Sequence, residues 1–239
     1  MIEQWKQDLE KLVNPLNIKT NELLKNYTMT KLGGKADVLV MPATDEEAVK
    51  VVRYAKEHNV PLLMLGNGSN MVVRDGGVRG IVLHFAHLDM IEINGTTVVA
   101  GAGALIKDVS KQVAARCLTG FEFACGIPGS IGGAMAMNAG AYGGEIKDVI
   151  VECTVITPEG DVLVLSKDEL ELGYRKSIIA KEGYYVLSAK FELEVGVQEE
   201  IDARIADLTY QRESKQPLEF PSAGSVFKRP PGHFAGKLI

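Results

Sequence analysis

VLVMPATDEEAVKVVRYAKEHNVPLLMLGNGSN, residues 38–70, holds a strand, a helix, a second strand and a glycine loop in immediate succession. Val38–Met41 is an apolar run too short for a helix and reads as a strand. Thr44-Asp45-Glu46-Glu47 is a capping box, with a hydroxyl at the cap and a carboxylate three residues on. Ala48, Val51, Val52 and Ala55 recur at helical spacing behind it and supply one buried face. Pro61–Leu65 is a second buried strand, and it runs into Gly66-Asn67-Gly68-Ser69-Asn70. This loop does not match the GxGxxG dinucleotide pattern, and no lysine follows as in a GxxxxGK phosphate loop.

A second glycine segment lies downstream. Residues 123–144, FACGIPGSIGGAMAMNAGAYGG, contain no Asp, Glu, Lys or Arg, and seven of the twenty-two are glycine. The length alone would suit a membrane span, but the glycines, Pro128, Ser130 and Asn138 argue against one. Glycines leave backbone N–H groups uncovered, so a neutral tract of this kind suits a diphosphate without any lysine. Tight backbone packing between two layers is the alternative. Two such loops in one chain point to a dinucleotide cofactor without saying which.

Outward from these loops the chain reads as mixed helix and strand. Residues 1–16 are expected as an amphipathic helix through Trp5, Leu9 and Leu12. Ile81–Leu83, Thr97–Ala100 and Tyr184–Glu194 are expected as strands, and Leu105–Cys117 as a helix. Residues 149–165 alternate as a hairpin around Pro158-Glu159-Gly160-Asp161. Ser166–Glu169 is a second capping-box match and predicts a short helix, and Glu199–Arg212 predicts a longer one. Residues 216–231, rich in proline and glycine, are expected as ordered loop around short strands.

Composition narrows the class. Of 239 residues, 46% are apolar and 24% charged, which suits a globular protein and leaves no room for bulk disorder. A chain of this length buries about 70% of its unfolded surface, enough for a core without staples. With 26 basic and 31 acidic residues the net charge is −5, so a nucleic-acid footprint is not expected. Cys117, Cys125 and Cys153 are odd in number and irregular in spacing, which speaks against a disulfide framework and fits a reducing, cytoplasmic setting. The N-terminus is charged from Glu3 and has no apolar core, so it does not read as a signal peptide.

Few polar residues stand out. Arg175 lies between an aromatic and a glycine-bounded turn in Gly173-Tyr174-Arg175-Lys176-Ser177, and arginine suits a carboxylate or enolate oxygen. Ser225 follows Gly224 beside an apolar pair, where a desolvated hydroxyl can donate a proton. No GxSxG elbow accompanies it. His58, His84, His87 and His233 lack ligand spacing, so no metal is expected, and His84 and His87 around Phe85 read as structural or surface residues.

Together the ordered stretches Thr30–Asp37 (TKLGGKAD), Pro61–Asn70, Gly126–Gly133 (GIPGSIGG), Met137–Glu145 (MNAGAYGGE), Tyr174–Ser177 (YRKS) and Lys215–Arg229 (KQPLEFPSAGSVFKR) closely resemble the UDP-N-acetylenolpyruvoylglucosamine reductase family, in its shorter Gram-positive-like form. The resemblance implies an α+β protein with a two-subdomain FAD-binding fold of the vanillyl-alcohol-oxidase/PCMH type, followed by a substrate-binding domain. The implied division is residues 1–30 as helix and lead-in, 31–95 and 96–195 as the two FAD subdomains, and 196–239 as the start of the substrate domain. It implies non-covalent FAD held by Gly66, Asn67, Gly68, Ser69 and Asn70, by Gly126, Ile127, Pro128, Gly129, Ser130, Ile131, Gly132 and Gly133, and alongside by Asn138 and Gly140. NADPH is the implied electron donor and a nucleotide sugar the implied substrate. Nucleic acid, membrane and an obligate protein partner are not expected.

In the family, hydride passes from NADPH to FAD and then to C3 of an enolpyruvyl group in peptidoglycan precursor synthesis. By likeness, Arg175 stabilises the resulting enolate-like charge and Ser225 protonates C2. The family's further glutamate lies beyond the stretch resembling PGHFAGKLI, and neither Glu213 nor Glu219 occupies its motif. The stop at Ile239 is therefore expected not to be a natural end, and these 239 residues alone are expected to turn over poorly. A non-covalent FAD oxidase of the same superfamily and a non-catalytic flavin-binding protein are the alternatives. Residues 66–70 contain no histidine or cysteine for a covalent flavin link.

Overall fold

The structure, a computed structural model, describes residues 1–228, 230–233 and 235–239. The chain begins with α1 (Ile2–Leu9) and a 3-10 turn at Pro15–Asn17, then β1 (Ile18–Leu23) and β2 (Lys35–Val40). After α2 (Asp45–Glu57) come β3 (Leu62–Leu65), β4 (Val78–His84), β5 (Ile91–Asn94) and β6 (Thr97–Gly101). The middle of the chain holds α3 (Ile106–Ala114), β7 (Leu118–Thr119), α4 (Ile131–Met137), β8 (Gly140–Ala141), β9 (Gly144–Glu145) and α5 (Ile146–Val149). It continues through β10 (Ile150–Ile156), β11 (Val162–Ser166), α6 (Ile178–Glu182), β12 (Tyr185–Glu192) and β13 (Glu194–Val195) to α7 (Gln198–Glu213).

Two sheets carry the fold. The first has the order β1-β2-β4-β3, with β2, β4 and β3 parallel and β1 antiparallel at the edge. The second is antiparallel throughout, in the order β11-β10-β12-β6-β5. β2 is buried on both faces, as its continuous apolar run requires of a central parallel strand. Val38 and Val40 join the main core, which reaches across to Val98, Val155 and Val186 of the second sheet. Leu39 faces a smaller cluster with Leu24, Leu65 and Val82. The shared core holds the two sheets in fixed relation, and the glycine loops lie where they meet.

β2 and β4 lose register between Ala36 and Val38, where β4 carries an extra residue. Gly80 in this bulge has φ +93, and a Cβ there would stand 2.2 Å from the Pro61 carbonyl oxygen. The buried Asp37 closes the gap: it accepts from Gly80 N at 2.9 Å and pairs with Arg79. Asp37→Ala leaves the bulge N–H unsatisfied and is expected to cost about 2 kcal/mol, the scale of a hydrogen bond to a charged group. Urea unfolding read by the midpoint checks this.

Several elements, among them β5, α4 and α6, have no counterpart in the sequence expectation, and four further differences have a local setting. α1 stops at Leu9 instead of running to residue 16: beyond it Lys11 N and Leu12 N bond three residues back, to Asp8 O and Leu9 O, and Asn14 then turns out to ψ 123 to cap the 3-10 turn that Pro15 opens. β1 was not expected: Lys19, Thr20, Asn21 and Glu22 give it little apolar pattern, and only Ile18 of the strand is buried. At Ser166–Glu169 no helix forms: Ser166 ends β11 and residues 167–170 make a turn. Ser166 N and Oγ both donate to Glu169 Oε2, at 2.8 and 2.6 Å, but the chain reverses at Glu171 with φ +47. After α7, the described residues of the C-terminal stretch form no strands, only a 3-10 turn at Ala235–Lys237. Phe220 and Phe227 there are 66% and 61% exposed, so no neighbouring strand is present to pair with.

No helix among the described residues is long and apolar enough to cross a membrane. No group of three or more metal-ligating side chains occurs among them either. Cys153 is fully buried in β10, and burial pushes its thiol up to about 12, whereas Cys117 and Cys125 are half-buried. Native protein is therefore expected to show two thiols that react with a disulfide reagent and a third that reacts only on unfolding; thiolate release at pH 8 counts them.

Candidate active site

The two glycine loops face each other. Asn67 Nδ2 donates to the Pro128 carbonyl at 2.6 Å, which ties the loop after β3 to the loop before α4. The second loop is pinned in turn to the β6–α3 connection. Ile106 N donates to Gly129 O at 3.0 Å, Ile131 N to Ala104 O at 2.9 Å and Gly132 N to Ala102 O at 2.9 Å. Gly66 permits the close approach, since a Cβ there would lie 2.6 Å from Ser130 Oγ.

A cavity of about 710 Å³ opens between these loops and α3. Gly66, Asn67 and Ser130 form one end. His84, Phe85, Ala86, Asp89 and Ile91 form one wall, and Leu105, Asp108, Lys111, Gln112 and Ala115 the other. Among the described residues, the backbone N–H groups of Gly66–Asn70 have no acceptor in the chain. Ser130 is 2% exposed, and its hydroxyl is buried with no hydrogen-bond partner. An orphaned buried hydroxyl is costly unless a ligand group pairs with it. Uncharged donors, a close-approach glycine and this hydroxyl fit a diphosphate, as the cofactor of a dinucleotide flavoprotein requires.

The expected site residues divide by what their polar groups do. Gly66, Asn67 and Ser130 line the cavity. Ile131 is fully buried, and its N–H, like that of Gly132, is already used in pinning the loop. Gly140 sits in the small β8–β9 hairpin. Asn138 is 1% exposed, and its side chain is wholly engaged within the chain. Nδ2 donates to Glu145 Oε2 at 2.9 Å and to the Gly173 carbonyl at 3.1 Å, while Oδ1 accepts from Lys147 N at 2.9 Å.

Asn138 thereby fastens the glycine tract to the turn that carries Arg175. Ser177 adds a second tie, donating through Oγ to Ala136 O at 2.7 Å. Gly173 and Lys176 exchange both backbone hydrogen bonds at 3.0 Å, which makes Tyr174 and Arg175 the tip of a tight turn. Arg175 is exposed, with its guanidinium 5.5 Å from the Tyr174 ring centre and φ at +55. Arg175 shares its positive φ with seven other non-glycine residues among those described, and it does not line the cavity beside the glycine loops. Ser225 lies in the exposed stretch after α7 and has no hydrogen bond to Arg175 or to either glycine loop among the described residues.

The wall residues beyond the loops were not read from sequence. His84 and Asp89 come from the end of β4 and the connection after it, and Asp108 and Lys111 from α3, two segments that only the tertiary structure brings together. The one local signal is His84 at the end of a strand before a glycine-free turn, where a structural or surface role is the expectation.

A family described as an FAD binding domain matches residues 36–166, more than half of the chain. The chain is 56% identical over 223 residues to UDP-N-acetylenolpyruvoylglucosamine reductase 2 of Bacillus cereus, covering 93% of this chain and 73% of that one. It is also similar to the crystal structure of the UDP-N-acetylenolpyruvylglucosamine reductase of Thermus caldophilus, with a TM-score of 0.80 and 35% identity over 91% of this chain and 77% of that one. An alkyldihydroxyacetonephosphate synthase shares the fold alone, with a TM-score of 0.63 at 19% identity over 81% of this chain and 44% of that one.

Proposed function

The chain belongs to the UDP-N-acetylenolpyruvoylglucosamine reductase family, and from that premise we propose how its own residues serve the reaction. It is an FAD-dependent oxidoreductase that reduces UDP-N-acetylglucosamine enolpyruvate to UDP-N-acetylmuramate with NADPH, a step of peptidoglycan precursor synthesis. The observation that carries our reading is the cavity walled at one end by both glycine loops, with unpaired backbone donors and the orphaned Ser130 hydroxyl.

Bound FAD supplies a hydride acceptor and donor between NADPH and the enolpyruvyl carbon. Residues 66–70 would hold its diphosphate through their free backbone N–H groups, and the 126–133 loop through Ser130 Oγ and those of its N–H groups not already used within the chain. Asn138 and Ser177 set the height of the Gly173–Lys176 turn above the glycine tract. Arg175 presents its guanidinium to the carboxylate of the substrate and holds the negative charge that hydride arrival leaves there. Ser225 then delivers a proton to C2. Residues 31–195 form the two cofactor subdomains, from which Arg175 reaches the substrate, and residues from 196 onward begin the substrate domain, in the cytoplasm where the nucleotide sugar is made.

The test is direct. Purified protein should be yellow, and acid precipitation should leave the colour in solution as non-covalent FAD. A colourless or FMN-only preparation that FAD does not reconstitute overturns the diphosphate assignment. Anaerobic reduction by NADPH followed by reoxidation with the enolpyruvyl nucleotide identifies the reductase. Reoxidation by oxygen alone, at rates unaffected by that nucleotide, identifies an oxidase.

A further inference from the structure

The glycine loops hold a doubly negative diphosphate with no lysine or arginine of their own: residues 66–70 and 126–133 are uncharged. The cavity wall next to them carries one titratable imidazole. His84 is paired in register with Leu65, the residue immediately before Gly66. Its Nδ1 lies 3.0 Å from the Leu65 carbonyl oxygen. A carbonyl only accepts, so Nδ1 carries the hydrogen and Nε2 is the free position. No group among the described residues engages Nε2, and His84 lines the cavity.

The charges around this ring leave that position for an anion. Tyr27 meets the ring edge-on at 5.4 Å, and its hydroxyl is already tied to Lys19 and Glu22. On its own segment His84 faces His87 and Asp89, and across the cavity Asp108 and Lys111 of α3. Lys111 is thus the single fixed cation on a wall that also holds two carboxylates. We propose, building on the FAD assignment above, that His84 carries a proton on Nε2 in the FAD-bound protein and is the charge partner of the cofactor's diphosphate. In the free protein, burial holds the imidazole below its usual range, so the ring is neutral there near pH 7. Binding of the diphosphate then draws a proton onto His84.

The sign follows from linkage. A group whose titration is raised on binding contributes affinity below its free value, and the contribution is lost as pH rises through its bound value. The FAD dissociation constant is therefore expected to rise with pH, by up to about tenfold per unit between the free and bound titrations of His84. The diphosphate diester itself does not titrate in this range.

The experiment dilutes holoprotein at pH 5.5–8.5 and follows released FAD by its fluorescence. Wild type should show the rise, His84→Gln should bind FAD more weakly at pH 6 with a flat profile, and His87→Gln should keep the wild-type slope. His84→Asn is the second variant should glutamine disturb the strand. A flat wild-type profile overturns the proposal, as does a His84→Gln slope equal to wild type. In both of these cases FAD still binds, so the family reading stands. Failure of the wild type to hold FAD at any pH overturns both together.

Discussion

Ser225→Ala, in a preparation that turns over, is expected to leave NADPH reduction of the bound flavin near the wild-type rate while reoxidation by the enolpyruvyl substrate slows roughly 10²–10⁴-fold, the usual contribution of a positioned general acid. The asymmetry follows from chemistry. Hydride arrival at C3 leaves electron density on C2 and its carboxylate, and only then is a proton needed. Ser225 belongs to the segment after α7 and shares no hydrogen bond with the glycine loops among the described residues, so its loss should not loosen the cofactor. Two anaerobic stopped-flow traces, one per half-reaction, read it. Equal slowing of both would make the serine an organiser of the shared site and remove it as the acid.

Arg175→Ala is expected to lower substrate-dependent reoxidation about a hundredfold, or roughly 3 kcal/mol, with FAD content little changed. Removing a donor aimed at developing negative charge has this scale, and the loops hold the cofactor through other groups. Backbone strain needs a control, since Arg175 sits at φ +55. Arg175→Asn tolerates that region and should fold at least as well as the alanine variant. If the asparagine variant recovers activity, the turn's shape matters and the guanidinium does not. If both variants fail equally with flavin bound, the charge is what the reaction uses. An unchanged reoxidation rate in both removes Arg175 from the chemistry.

Much of the first sheet was legible because its signals are local. The Thr44 half of the expected capping box is made, with Glu47 N donating to Thr44 Oγ1 at 3.2 Å, while the Glu47 carboxylate reaches one residue further back and accepts from Ala43 N at 2.7 Å. Helical spacing behind it put Ala48, Val51, Val52 and Ala55 in the core, where they are found. The same local reasoning failed at Ser166–Glu169. The box half-forms there, but a turn of hydrogen bonds is not a helix without an apolar face to bury behind it. β1 escaped because an edge strand needs little hydrophobic pattern when its partner, β2, carries the burial.

The site divides along the same line. Sequence by itself located both glycine loops, their freedom from charge and the turn of Arg175, because glycine content, absent lysines and short motifs are properties of neighbouring residues. It also carried the family, through the order of six short stretches. Only the tertiary structure decided what those residues do with their polar groups. Asn138 reads as a cofactor contact in the tract, yet the fold turns its amide toward Glu145, Lys147 and Gly173, residues up to thirty-five positions away. His84 reads as a strand-end histidine, yet pairing of β3 with β4 sets it beside the loop after Leu65, with Nδ1 on the Leu65 carbonyl and the residue in the cavity wall. Hydrogen-bond partners are chosen by whatever the packing of two sheets brings within about 3 Å, and a linear pattern contains no term for that distance.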